Sequence, residues 1–69
     1  MTTFDMPGGY RAFYHEKQFD IEDPDGLPEP LRDQARNTLM QLNNRGISSD
    51  ADAIFVVTTE FGGKVVTEV

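Results

Sequence analysis

The sequence predicts a small α+β domain in which an antiparallel sheet of order β-β-α-β-β packs on one amphipathic helix. Three observations support this prediction: two short alternating segments near the N-terminus, an apolar stripe at helical spacing, and a β-branched run before a Gly-Gly pair. The length of 69 residues allows a single domain, 1–69, because a chain of this size forms only one thin core.

The N-terminal third predicts a hairpin that follows a leader. Residues 1–9 contain Pro7-Gly8-Gly9, which breaks regular structure, so we expect a loose leader there. Residues 10–15 are rich in aromatic side chains, and residues 18–22 alternate between apolar and polar side chains. We therefore expect two antiparallel strands joined at Glu16-Lys17. Tyr10, Ala12 and Tyr14 share one face of the first strand, and Phe19 and Ile21 share one face of the second.

The helix is predicted over residues 30–45. Pro30 suits the first helical position, and Asp33 is expected in the first turn, where the helix dipole favours a negative charge. Gly46 provides a typical end. The apolar stripe that should face the sheet consists of Leu31, Ala35, Leu39 and Leu42.

The C-terminal third predicts a second hairpin. Residues 53–61 are β-branched and aromatic, and Gly62-Gly63 is a turn signal that leads into residues 64–69. The register that pairs Glu60 with Lys64 places the better apolar set on one core face. That set is Phe55, Val57, Thr59, Val65, Thr67 and Val69.

The composition excludes several classes of function. The chain has no cysteine, so disulfides, thiolate metal sites and a cysteine nucleophile are absent. The lack of cysteine is compatible with a cytoplasmic location, which we expect. No apolar run approaches the roughly 18 residues of a membrane span, so we expect no membrane partner. The six basic residues do not cluster and the net charge is −6, which disfavours direct binding of nucleic acid.

Most of the net charge lies in one acidic segment, residues 16–33, which holds seven acids against Lys17 and Arg32. A patch of one sign attracts basic partners and makes their binding sensitive to salt. A solvated face that only keeps the protein soluble is the alternative. The candidate partner-binding residues are Asp20, Glu22, Asp23, Asp25, Glu29 and Asp33, together with Met40 on the wet face of the helix.

Catalytic and cofactor chemistry has little support in the sequence. His15 is the only histidine, and no serine lies in a glycine-flanked turn suited to a nucleophile, so we expect no enzyme and no cofactor. Weak calcium binding by residues 20–25 stays open, although the acids lack EF-hand spacing and we assign no metal site.

Three short segments carry a resemblance to a functional class: Met1-Thr2-Thr3-Phe4, Gly9-Tyr10 and Gln18-Phe19-Asp20 before the acidic residues. They resemble small acidic anti-CRISPR proteins of phages and mobile elements, most closely inhibitors of type I systems. The resemblance implies a non-enzymatic inhibitor in a host bacterial cell. Such an inhibitor occupies a basic nucleic-acid channel or a subunit surface of the CRISPR effector, and its acids contact Lys and Arg of that target.

Two alternatives stay open. The strand pair, the Asp23-Pro24-Asp25-Gly26 turn and the Ala/Leu helix also look like a HicB-type antitoxin, which implies a basic toxin as partner. A small structural or oligomerisation module is the second alternative, so the chain is expected to be a monomer or a weak homodimer.

Overall fold

A computed structural model of the protein describes residues 1–68, with the backbone alone at residue 68. The elements in chain order are β1 (Thr2–Met6), β2 (Tyr10–His15), β3 (Gln18–Ile21), a 3-10 turn (Pro24–Gly26), α1 (Glu29–Asn43), α2 (Asp50–Glu60) and β4 (Lys64–Glu68). The strands form one antiparallel sheet in the order β3-β2-β1-β4. The α+β class is confirmed, but the predicted order β-β-α-β-β is wrong because three strands precede two helices.

β1 is an inner strand of the sheet, so the prediction of a loose leader over residues 1–9 is wrong. Phe4 lies opposite Ala12 of β2 on one side and opposite Val65 of β4 on the other. The alternation of buried Thr2, Phe4 and Met6 with more exposed neighbours is the period of a half-buried strand. The breaker at residues 7–9 is the turn that joins β1 to β2, with Gly8 and Gly9 at φ 101° and 93°.

The predicted hairpin of residues 10–15 and 18–22 is present as β2 and β3. His15 lies opposite Gln18, and the connecting Glu16 and Lys17 both have positive φ, 52° and 64°. Two such residues give a type I′ geometry, which matches the right-handed twist of the strands although neither residue favours it. The two sets that share a face within their own strands, Tyr10, Ala12 and Tyr14 in β2 and Phe19 and Ile21 in β3, lie on the same side of the sheet and are buried.

α1 is also confirmed, with bounds of 29–43 against the predicted 30–45. Ala35 and Leu42 are fully buried, and Leu31 and Leu39 pack against the same core. Asp33 falls in the second turn, and Glu29 is the acid of the first turn. The chain leaves the helix through Asn44, and Gly46 beyond it has φ 69°.

The predicted strand over residues 53–61 is wrong, because residues 50–60 form the helix α2. Ser49 caps it by accepting a hydrogen bond of 3.1 Å from the backbone N–H of Asp52. The side chains that α2 buries are Ala53 and Val57, which are four residues apart, whereas Phe55 is 64% exposed. The β-branched composition suggested a strand, but the cap and the burial at helical spacing determine the local structure.

The second predicted hairpin is therefore also wrong. β4 pairs with β1, so Lys64 lies opposite Asp5 and not opposite Glu60. The register shifts between Thr3 and Phe4, where Val66 is the extra residue of a β-bulge. Gly62 and Gly63 connect a helix to a strand, and Gly63 allows a close approach of Val57 that a Cβ atom would block. Val69 of the predicted core face lies outside the described residues.

The two helices cover one face of the sheet. α1 contacts β3, and α2 contacts β1 and β4. The loop between the helices is held against the sheet by Tyr14, whose hydroxyl donates a hydrogen bond of 2.9 Å to the carbonyl of Ile47. Burial, followed by the charges of Asp50 and Asp52, raises the pKa of Tyr14 above its usual value.

The outer edge of β3 is closed by a side chain of α1. The backbone N–H of Phe19 donates to Asn43 Oδ1 at 2.8 Å, and Asn43 Nδ2 donates to the carbonyl of Phe19 at 3.1 Å. The carboxamide satisfies one donor and one acceptor of an edge strand, as a neighbouring strand would. Asn43 therefore joins helix to sheet and fills an otherwise open pairing position.

We expect Asn43→Ala to lower the free energy of unfolding by about 1–3 kcal/mol, because two hydrogen bonds at the β3 edge are lost. Asn37→Ala, at an exposed position of the same helix, is the matched control and should change it by less than about 0.5 kcal/mol. Urea denaturation measures both. Equal effects of the two substitutions would contradict the bridging role.

Because β1 is an inner strand, replacing its phenylalanine should lower the free energy of unfolding far more than replacing the exposed phenylalanine of α2. Phe4→Ala should cost about 3–5 kcal/mol because Phe4 is fully buried, and this cost is enough to unfold a domain of this size. Phe55→Ala should cost less than about 1 kcal/mol because that side chain is mostly exposed. Thermal unfolding followed by circular dichroism compares them, and a folded Phe4→Ala variant with an unchanged midpoint would contradict an inner β1.

Candidate partner-binding surface

The predicted acidic residues lie on three consecutive pieces of the chain at one border of the molecule. Asp20 is in β3, the outermost strand on this side of the sheet. Glu22, Asp23 and Asp25 follow in and around the 3-10 turn. We call the full set the acidic edge, and all of its members are exposed: Asp20, Glu22, Asp23, Asp25, Glu29 and Asp33.

The acidic edge wraps around β3 and is not a flat surface. Phe19 and Ile21 point to the core that α1 covers, so Asp20, which alternates with them, points to the open face of the sheet. Glu29 and Asp33 belong to α1, which lies on the covered face. The sheet therefore separates the strand acids from the helix acids, and the acids of the 3-10 turn lie where the chain passes from one layer to the other.

In the 3-10 turn, the left-handed backbone conformation is adopted by an aspartate and not by the glycine. Asp23 has φ 49°, whereas Gly26 does not have positive φ. Aspartate tolerates this left-handed region better than most residues. A Cβ atom at Gly26 would lie 2.5 Å from Asp23 Oδ2, so the glycine leaves space for the Asp23 carboxylate.

The charge of the acidic edge is not compensated within residues 1–68. None of its carboxylates lies within 4.0 Å of a basic group of that part of the chain. Arg32, the nearest basic residue in sequence to Asp33, instead donates a hydrogen bond of 3.0 Å from Nη2 to the carbonyl of Leu27.

Acids elsewhere in the chain do have basic partners. Arg11 Nε lies 3.0 Å from Asp5 Oδ1, and Arg45 Nη1 donates to Glu60 Oε2 at 3.2 Å. The hydrogen bond from Arg45 lowers the pKa of the Glu60 carboxyl. The fold therefore pairs acids that lie near its basic residues, whereas the carboxylates of the acidic edge have no ion pair within residues 1–68.

An open groove of about 360 Å³ borders the acidic edge. Its lining includes Arg11, Glu22, Asp23 and Leu27, together with Gly9, Tyr10 and Gly26. Arg11 is already paired with Asp5, and the lining holds no serine, cysteine or histidine. An open groove of this kind does not desolvate its carboxylates, which general acid–base chemistry would require.

The remaining candidates for chemistry are dispersed. His15 is exposed, and its Nε2 lies 3.6 Å from Glu16 Oε1. Among residues 1–68, no group of three or more His, Cys, Asp or Glu side chains is arranged to hold a metal ion, and this holds for the acids of residues 20–25.

Two large apolar side chains are presented on the helices. Met40 on α1 is 62% exposed, at the position predicted from the sequence. Phe55 on α2 is similarly exposed, but the prediction of a strand placed it in the core. The capping pattern of Ser49 and Asp52, followed by Ala53 and Val57 at helical spacing, was the signal that could have revealed it.

Comparisons with known proteins found no match for this chain among protein-family models, curated proteins or solved structures. Within the described part of the chain, neither helix has the length and apolar character needed to cross a membrane.

Because the acidic edge has no basic partners in the fold, neutralising it should not destabilise the protein. We expect Asp20→Asn/Glu22→Gln/Asp23→Asn to keep the free energy of unfolding or raise it by a few tenths of a kcal/mol, as like-charge repulsion is relieved. Asparagine also tolerates the backbone of position 23. Urea denaturation at low and high salt tests this, and a loss above about 1 kcal/mol would show that these acids stabilise the fold.

Proposed function

We propose that the protein is a non-enzymatic binding protein whose acidic edge docks on a positively charged protein that handles nucleic acid. The observation that carries this proposal is the set of six exposed carboxylates without an ion pair in the described structure. Their mutual repulsion opposes folding slightly, and a basic partner would remove that repulsion while gaining favourable charge contacts.

The spacing of the acids supports an occupant of a phosphate-binding surface. Asp20 is in β3, and Glu22 directly follows the end of that strand, where its backbone N–H still donates to the carbonyl of Arg11 at 2.9 Å. Two residues of a strand span about 6.6–6.8 Å, which is close to the axial rise of two steps of a DNA strand at about 3.4 Å each. Glu29 and Asp33 are one helical turn apart, or about 6 Å along the axis of α1. Carboxylates at these intervals can take the positions of phosphates on a row of Lys and Arg side chains.

The shape of the acidic edge favours a groove over a flat partner surface. The strand acids and the helix acids lie on opposite sides of the sheet, so one convex border presents negative charge in two directions. A basic channel has two walls, and such a border can contact both of them. The resemblance to type I anti-CRISPR proteins implies an inhibitor that occupies a basic nucleic-acid channel or a subunit surface of the effector, and this geometry favours the channel.

The test is competition for a nucleic-acid channel. Labelled target DNA is bound to a purified type I CRISPR effector complex, and its fluorescence anisotropy is followed as the protein is added at low and high salt. The wild type should displace the DNA with an affinity that weakens as salt rises. The variant Asp20→Asn/Glu22→Gln/Asp23→Asn should require on the order of tenfold more protein, about 1.4 kcal/mol of lost binding free energy.

The matched control removes the same number of charges elsewhere, through Glu16→Gln/Asp50→Asn/Asp52→Asn. It should compete as the wild type does, because those acids lie outside the acidic edge. Equal loss in both variants would mean that only net charge matters. Displacement that ignores salt, or an absence of displacement by the wild type, would overturn the proposal for this effector class. Binding to a small basic RNase in a parallel titration would instead support the antitoxin alternative.

A further inference from the structure

One phenylalanine of the sheet lies outside the core. Phe13 in β2 alternates with the buried Ala12 and Tyr14, so its ring points to the open face that the helices do not cover. The side chain is partly exposed, and it is not among the partly buried apolar residues that pack against the core. An inner strand of the sheet therefore presents an aromatic ring to solvent.

The cross-strand neighbours of Phe13 place a carboxylate beside the ring. Phe13 lies opposite Asp20 of β3 on one side and opposite the small side chain of Thr3 in β1 on the other. Residues directly opposite each other share a face, with Cβ atoms about 4.5–5.5 Å apart. Asp20 has no basic group within 4.0 Å among residues 1–68. The open face thus holds an aromatic ring and an unpaired carboxylate side by side.

The neighbours of Phe13 along β2 interact with other acids. Arg11, two residues before it, places its Nε 3.0 Å from Asp5 Oδ1. His15, two residues after it, has its Nε2 3.6 Å from the Glu16 carboxylate. Within residues 1–68, no basic side chain lies over the Phe13 ring. The fold therefore supplies no cation of its own to the ring and the carboxylate beside it.

Elsewhere the fold holds an arginine with the same two kinds of side chain. Arg45 Nη1 donates to Glu60 Oε2 at 3.2 Å, and Arg45 Nη2 donates to Glu60 Oε1. Arg45 Cζ also lies 5.8 Å from the centroid of the Phe61 ring. The carboxylate fixes the planar guanidinium through two hydrogen bonds, and the ring adds a cation–π contact. Phe13 and Asp20 offer this combination on the open face of the sheet.

We propose that Phe13 and Asp20 form a binding site for an arginine side chain of the basic partner. The guanidinium lies over the exposed part of the ring and donates two hydrogen bonds to the carboxylate. Charge complementarity commits the site to a cation, because Asp20 is unpaired and the exposed Glu22 adds negative charge at the same border of the sheet. This inference rests on the proposed function, since it identifies the partner side chain that this part of the acidic edge receives.

The chemistry of the site selects arginine over lysine. A guanidinium is planar and weakly hydrated, so it can stack on an aromatic face and bond both oxygens of a carboxylate. An ammonium is a compact, strongly hydrated charge and cannot make the same paired contact. At an exposed site, a cation–π contact changes affinity about two- to fivefold. We expect a preference for arginine of this size.

The experiment compares two peptides of equal charge, in which four arginines or four lysines alternate with glycine. Each is titrated into isotopically labelled protein at fixed salt, and binding is followed by NMR chemical shifts. The wild type should bind the arginine peptide about two- to fivefold more tightly, with large shifts of the Phe13 ring signals. Phe13→Leu keeps an apolar side chain and changes no charge, and it should bring the two affinities together.

Matched controls repeat each substitution elsewhere. Phe55→Leu, at the exposed phenylalanine of α2, should keep the preference for arginine. Asp20→Asn should remove that preference, whereas Asp50→Asn, which removes the same charge outside the acidic edge, should keep it. Circular dichroism confirms that each variant is folded. Equal binding of the two peptides by the wild type, a preference that survives Phe13→Leu, or equal losses in Phe13→Leu and Phe55→Leu would overturn the proposal.

Competition for the nucleic-acid channel separates this inference from the proposed function. Phe13→Leu should displace DNA from the effector about two- to fivefold less tightly than the wild type, with the same dependence on salt, because no charge has changed. A Phe13→Leu variant that competes as well as the wild type would overturn the arginine site and leave the proposed function standing. A wild type that displaces no DNA would overturn the proposed function for this effector class, and the peptide titration would still decide whether the site prefers arginine.

Discussion

The fold depends on β1, because this strand is hydrogen-bonded on both sides and carries the middle of the core. Phe4 is fully buried between a residue of β2 and a residue of β4, and Thr2 and Met6 are buried beside it. A chain of this length has room for one layer of helices on one face of one sheet. Without β1, the β2–β3 hairpin and β4 would share no strand, and the helices would have no common surface to cover.

The open face of the sheet, which the helices do not cover, carries charged side chains in cross-strand pairs. Asp5 lies opposite Arg11 on one side and opposite Lys64 on the other, which forms a row of alternating charge across three strands. Cross-strand pairs of opposite charge are favourable where they remain solvated. The basic residues used here, together with Arg45 at Glu60, are then not available to the acidic edge.

The acidic edge lies at the β3 border of the sheet, and its carboxylates are exposed. Contacts of a basic partner with such a border would form fast and would be sensitive to salt.

Local patterns determined a large part of this protein. The apolar stripe of α1, the alternation of β2 and β3, and the exposure of the six acids and of Met40 were all readable from the sequence, because each depends on residues near one another in the chain. The Pro-Gly-Gly breaker at residues 7–9 is also evident in the sequence, but the sequence does not indicate which elements it separates. Whether such a breaker ends a loose segment or joins two strands depends on what the preceding residues pair with.

Only the tertiary structure decided the rest. The β-branched residues of α2 favour a strand in isolation, and the helix forms because Ser49 caps it and because Ala53 and Val57 pack on the sheet. With that segment in the helical layer, β4 has to pair with β1, and the Asp5–Lys64 register follows. The separation of the acids onto two sides of β3 likewise depends on the position of α1. Which acids face the open side of the sheet and which lie on the helical side is determined only when α1 packs against β3.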